Sequence, residues 1–114
     1  MTTLMHTWTD VCRYADLAPE RGVAALIGAT PVAIFRTFDG MVHAIDNRDP
    51  FTGQSVLSRG IVGTHGDEPT VASPLFKQAF SLRTGHCLTE PELRVRVFDV
   101  RCRDGVVQVR EAGA

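Results

Sequence analysis

The side chains in this sequence that could ligate a soft metal or attack an electrophile are three cysteines, Cys12, Cys87 and Cys102, and four histidines, His6, His43, His65 and His86. Their spacing gives them little to do together. No Cys-x-x-Cys occurs, and no cysteine carries a histidine two or three positions later. Cys12 is followed by Arg13-Tyr14-Ala15, Cys87 by Leu88-Thr89-Glu90 and Cys102 by Arg103-Asp104-Gly105. An odd number of cysteines spread along the chain argues against a disulfide framework and for a reducing compartment. Cys12 and Cys102 have apolar neighbours and are expected as small core hydrophobes. The histidines fall in no nucleophile and base signature and are expected at the surface or in turns. His43, alternating with Val42 and Ala44, is expected half-exposed on a strand. Gly60, Gly63 and Gly66 make a GxxGxxG series that is neither a dinucleotide fingerprint nor a P-loop, and they read as turn glycines. No catalytic, cofactor-binding or metal-binding set emerges from these residues.

The elements around them must therefore be read for what they position. A chain of 114 residues is the length of one domain, 1–114, with a tail from 110 expected to fray. At 44% hydrophobic residues it can bury a core without metals or disulfides. Twelve basic and 13 acidic side chains leave a formal charge of -1, which offers no field to a phosphate backbone or an anionic lipid surface. Nucleic acid and membrane are poor partners on that ground. Residues 1–10 lack a basic and then apolar leader, and no apolar run approaches a membrane span, so a cytoplasmic protein is expected.

Short apolar and alternating runs dominate, and no segment holds helical periodicity for three turns. Gly22 to Gly28 and Pro31 to Phe38 read as paired strands joined at Gly28 to Thr30. Asp39-Gly40 then reads as a two-residue hairpin turn into Met41 to Ile45. Asp104-Gly105 repeats the device between Arg94 to Cys102 and Val106 to Arg110. In Arg94 to Cys102 the apolar set changes face between Val97 and Phe98, which calls for a β-bulge or for burial on both faces. Thr7 to Cys12 reads as a strand, and Asp16 to Pro19 as a turn or a single helical turn. The forty residues from Asp46 to Gly85 are too long for a structureless connection and must hold further strands and functional loops. The expected class is all-β, an antiparallel sandwich or small barrel.

Within that middle segment, the stretch from His43 to Gly85 resembles the cluster-binding region of Rieske-type ferredoxin domains. In that family two loops supply two cysteines and two histidines to a [2Fe-2S] centre. Here Asp49-Pro50-Phe51 stands where the family carries Cys-Pro-His, and Ser73-Pro74-Leu75-Phe76 stands where it carries Cys-Pro-Tyr-His. The prolines and the trailing Phe80 to Gly85 match, but all four ligands are missing. Phenylalanine cannot ligate a metal, so Asp49, Phe51, Ser73 and Phe76 imply a cluster-free domain.

A Rieske-like chain with these replacements resembles the small subunits of cytoplasmic NAD(P)H-dependent nitrite reductases. The pieces that carry the resemblance are DNRDPF (Asp46 to Phe51), LSRGIVG (Leu57 to Gly63) and SPLFKQAF (Ser73 to Phe80). It implies a Rieske-like fold and a non-catalytic partner of a large subunit that carries FAD, an iron-sulfur cluster and sirohaem and reduces nitrite to ammonium in nitrate assimilation. It also implies an exposed tip presenting Arg48, Asp49, Pro50, Phe51, Phe76 and Lys77 to that partner. Phe51 and Phe76 could pack together in the vacant site, and Arg59 and Arg83 could satisfy backbone carbonyls. The alternatives are a free-standing electron carrier with a mononuclear ion on Asp49 and the histidines, or a Rieske-like interaction module of another oxidoreductase.

Overall fold

The computed structural model describes residues 7–75 and 77–111. Nine strands follow in chain order: β1 (Thr9–Arg13), β2 (Arg21–Ile27), β3 (Thr30–Arg36), β4 (Val42–Asp46), β5 (Ile61–His65), β6 (Glu68–Ala72), β7 (Ala79–Ser81), β8 (Val97–Arg103) and β9 (Val106–Glu111). All named pairings are antiparallel. Six strands form one sheet in the order β1-β9-β8-β4-β3-β2, and β5-β6-β7 form a second. The six-stranded sheet curls until its edge strands β1 and β2 meet, giving a nearly closed barrel. The expected all-β architecture is therefore the observed one.

The alternation of side chains along a strand explains how two cores share one sheet. In β3, Val32 and Ile34 point inside the curl, where they meet Ala44, Phe98, Val107 and Val109. Ala33 and Phe35 point outward, against Leu57, Val71 and Phe80 beneath the three-stranded sheet. All four β3 residues are fully buried, which is why that run is continuously apolar. The face change between Val97 and Phe98 has the same cause. Val95 and Val97 join the outer core, while Phe98 and Val100 join the inner one. Burial on both faces, and not a bulge, accounts for it. The one register shift among the described strand pairs lies in β1, between Asp10 and Cys12.

Two turn expectations divide. Asp104 and Gly105 both have positive φ and join Arg103 to its partner Val106 as a two-residue turn. At Asp39-Gly40 only Gly40 has positive φ, and the last pair is Arg36 with Val42. The loop from Thr37 to Met41 is longer because Asp39 accepts from the Thr37 hydroxyl at 2.5 Å and from the Met41 amide at 3.2 Å. These bonds make Asp39 a local cap. Strand β8 also starts later than the sequence suggests. Arg94 instead bridges His86, so the chain crosses between the layers before joining β4. The cysteine expectation needs one correction. Cys12 is half-buried against the inner core, but Cys102 is exposed near the end of β8, and Cys87 is the fully buried thiol.

Candidate functional site

The segment between β4 and β8 carries two loops built on one plan. In the first, the Asp49 amide donates to the Gln54 carbonyl at 2.8 Å and the Gly53 amide returns to the Asp49 carbonyl at 2.7 Å. In the second, the Ser73 amide donates to Gln78 at 2.9 Å and the Lys77 amide returns to Ser73 at 2.9 Å. The fifth residue of each loop, Gly53 or Lys77, takes the left-handed conformation that closes the turn. The first side chain of each loop accepts the amide two residues on: Phe51 to Asp49 Oδ1 at 2.8 Å, and Leu75 to Ser73 Oγ at 3.3 Å. The sequence signal for this pairing is the repeat of D-P-F-T-G-Q in S-P-L-F-K-Q, with proline second and glutamine sixth. Reading the two loops only for missing ligands passes over it.

The loops are joined at their first residues. Ser73 Oγ donates to Asp49 Oδ2 at 2.5 Å, and both side chains are buried. The hydroxyl and amide donors satisfy a carboxylate that would otherwise be costly to remove from water. Asp49 is thus no surface residue, contrary to its expected place on the tip. Its carboxylate is spent on bonds within the protein, so it supports the surface from beneath. Pro50 and Pro74 lie outside it, exposed, with Arg48, Leu75 and Lys77. Arg48 Nε donates to the Gly53 carbonyl at 3.1 Å, which bends its side chain over its own loop. Leu75 is a member of this apolar tip that the sequence reading missed.

The four family ligand positions do not fit a [2Fe-2S] group. Asp49 and Ser73 bond directly to each other, so their oxygens are engaged within the protein. Phe51 offers no lone pair; its half-buried ring packs on Phe80 with centroids 6.3 Å apart. Phe76, also without a donor, lies outside the described residues. Nor do the histidines converge on Asp49. His43 lies on β4 facing a groove at the far end of the strand, His65 ends β5, and His86 Nδ1 lies 3.0 Å from the Pro91 carbonyl. His6 is outside the described residues. Among the described residues no three His, Cys, Asp or Glu side chains are grouped to hold an ion. Arg83 reaches the Glu68 carboxylate at 4.0 Å instead of a carbonyl.

A family model described as the Rieske-like [2Fe-2S] domain matches residues 7–110. The chain belongs to the Rieske-like domain family. Within that family it is 48% identical to the nitrite reductase (NADH) small subunit of Escherichia coli K12 over 107 residues, covering 93% of this chain and 99% of that one. The solution structure of the Escherichia coli protein NirD matches with a TM-score of 0.86 at 46% identity, covering 94% of this chain and 98% of the other. The chain also matches part of the nitrite reductase [NAD(P)H] large subunit of Klebsiella oxytoca, 38% identical over 102 residues. That match takes in 90% of this chain but 11% of the larger protein. This Rieske-like domain is thus a member of the nitrite reductase small-subunit group, and a domain like it also occurs inside a large-subunit polypeptide.

Proposed function

We propose that this chain is a cluster-free, non-catalytic small subunit of a cytoplasmic NAD(P)H-dependent nitrite reductase that forms ammonium for nitrate assimilation. It acts by binding and ordering the large subunit. The observation that carries the reading is the Klebsiella oxytoca large subunit, in which a domain 38% identical to this one is part of the same polypeptide. A domain kept at high effective concentration beside a large subunit in one protein is well placed to be its docked partner in another.

The geometry supports a contribution through contact and not through electron transfer. Six electrons are needed to take nitrite to ammonium, and they would pass through FAD, iron-sulfur and sirohaem groups on the large subunit. This chain offers no relay at its ligand positions, where a serine hydroxyl and a carboxylate are bonded to each other. Its tip offers shape and charge. Pro50, Pro74 and Leu75 present a small apolar cap, Arg48 and Lys77 flank it with positive charge, and Phe51 and Phe76 belong to the same loops. A rigid cap of this kind suits an apolar recess bordered by carboxylates.

The reading is tested by purifying the chain with its large subunit, without oxygen, and assaying the separated small subunit for iron and acid-labile sulfide. The pair is expected to co-purify and the small subunit to hold neither element. Stoichiometric iron and sulfide would show a relay and overturn the cluster-free reading. Reversing the two tip charges with Arg48→Glu and Lys77→Glu is expected to weaken the complex while leaving the melting temperature within about 2 °C, since exposed charges contribute little to folding. Undiminished binding would move the interface off the tip.

A further inference from the structure

A groove of about 370 Å³ opens at the pole opposite the tip, between the Thr37 to Met41 loop and the β5–β6 hairpin. The tip lies beyond Asp46 and Ala72, the ends of β4 and β6, whereas the groove lies at Val42 and Glu68, their other ends. The two surfaces are therefore separated by the full length of both strands, roughly 13 Å or more at 3.3 Å per residue.

The groove's chemistry is the reverse of the tip's. Glu20, Asp39 and Asp67 stand around it, against one guanidinium, that of Arg83, which is turned toward Glu68. Bonds from the Thr37 hydroxyl and the Met41 amide hold the Asp39 carboxyl below its usual range, so it stays charged. Burial pushes the neighbouring His43 imidazole down despite the pull of Asp39, so it adds little positive charge at neutral pH. The same wall carries two large apolar side chains in water: Phe38 is 74% exposed and Met41 56%. Two such side chains on one loop, both lining the groove, offer apolar surface that a protein contact would cover.

We propose that this groove is a second docking site, and that its occupant is a segment of the large subunit in which an apolar side chain is flanked by lysine or arginine. Three carboxylates exclude an anionic ligand such as a nucleotide phosphate. The concavity takes in an extended segment better than a flat surface. A segment held here while the tip is seated elsewhere would grip the subunit at two opposite ends. This inference rests on the subunit reading above.

The test measures binding of the isolated chain to the purified large subunit for the wild type and for Phe38→Ser combined with Asp67→Lys. Both positions are exposed, so the variant should fold, as a thermal melt verifies. A dissociation constant at least tenfold higher is expected, together with slowed amide exchange at residues 37–41 and 64–67 of the wild type on complex formation. A variant that binds within twofold of the wild type, or groove amides that exchange equally in the free and bound chain, overturns the proposal while leaving the partnership standing. So does head-to-tail self-association through the groove that the variant abolishes without loss of large-subunit binding. Failure of the wild type to bind at all overturns the partnership and this inference with it.

Discussion

The bond between Asp49 and Ser73 is the sole side-chain hydrogen bond between the two tip loops among the described residues, and removing it tests the account of the site. Asp49→Ala strips the acceptor from two donors at once, the Ser73 hydroxyl and the Phe51 amide. A buried donor left without a partner costs about 1–3 kcal/mol, so the variant should lose roughly 2–4 kcal/mol of folding free energy. That loss lies within the 5–15 kcal/mol of an ordinary domain, so the protein stays folded with its melting temperature lower by about 8–16 °C. Asp49→Asn keeps an acceptor for Phe51 and a polar partner for Ser73, and should lose about 1 kcal/mol. Ser73→Ala removes the other side of the pair. Its Leu75 amide belongs to an exposed residue and can turn to water, so the cost falls on the Asp49 carboxylate. Urea denaturation of the two alanine variants and their double mutant gives the coupling directly, expected at about 1–3 kcal/mol. A coupling below about 0.5 kcal/mol, or an Asn variant as unstable as the Ala variant, would refute the claim that this bond clamps the loops.

Other perturbations follow from the same geometry. Gly85 has φ +81°, and a Cβ there would lie 2.1 Å from the Val95 carbonyl oxygen, whereas Gly28, at φ +63°, has open space around it. Gly85→Ala should therefore cost about 3 kcal/mol or more and Gly28→Ala about 1 kcal/mol by denaturant titration; equal costs would contradict the packing described. Because burial lowers the His43 pKa from its ordinary 6.5, the unfolded chain binds its proton first as pH falls. Stability should decline as pH drops below about 6.5 and level off below the depressed native value, a slope that His43→Gln removes. Thiol reagents at neutral pH should label Cys102 first. Cys12, whose thiol is pushed up by burial and by Asp16, should follow slowly, and Cys87 should react only on unfolding.

Local chemistry was legible in the sequence where it alone decides the structure. The Asp104-Gly105 turn formed as its residue types require, and the unbroken apolar run of β3 marked the strand shared by both cores. Asp39-Gly40, with the same two residues, did not make a two-residue turn, because a hydroxyl two residues upstream of the aspartate captured its carboxylate. Cys102 looked like a core residue from its neighbours along the chain, but its place near the end of β8 left it in water. The loops showed their absent ligands through Asp49, Phe51, Ser73 and Phe76. What replaces those ligands joins residues 24 apart in the chain and could not be read from either loop alone. The groove was hidden for the same reason. Phe38 and Asp67 come together only when the three-stranded sheet folds over the barrel.

Whether this chain supports a nitrite-reducing partner without carrying its electrons is tested most directly by reconstitution. NADH- or NADPH-dependent nitrite turnover by the purified large subunit, and the half-life of that activity, are measured as iron-free small subunit is added. Turnover, half-life or both are expected to rise and saturate near one small subunit per large subunit, with Asp49→Ala, Arg48→Glu and Lys77→Glu each shifting saturation to higher concentration. Iron-free small subunit that leaves both quantities unchanged would show that the chain does not support its partner in this way.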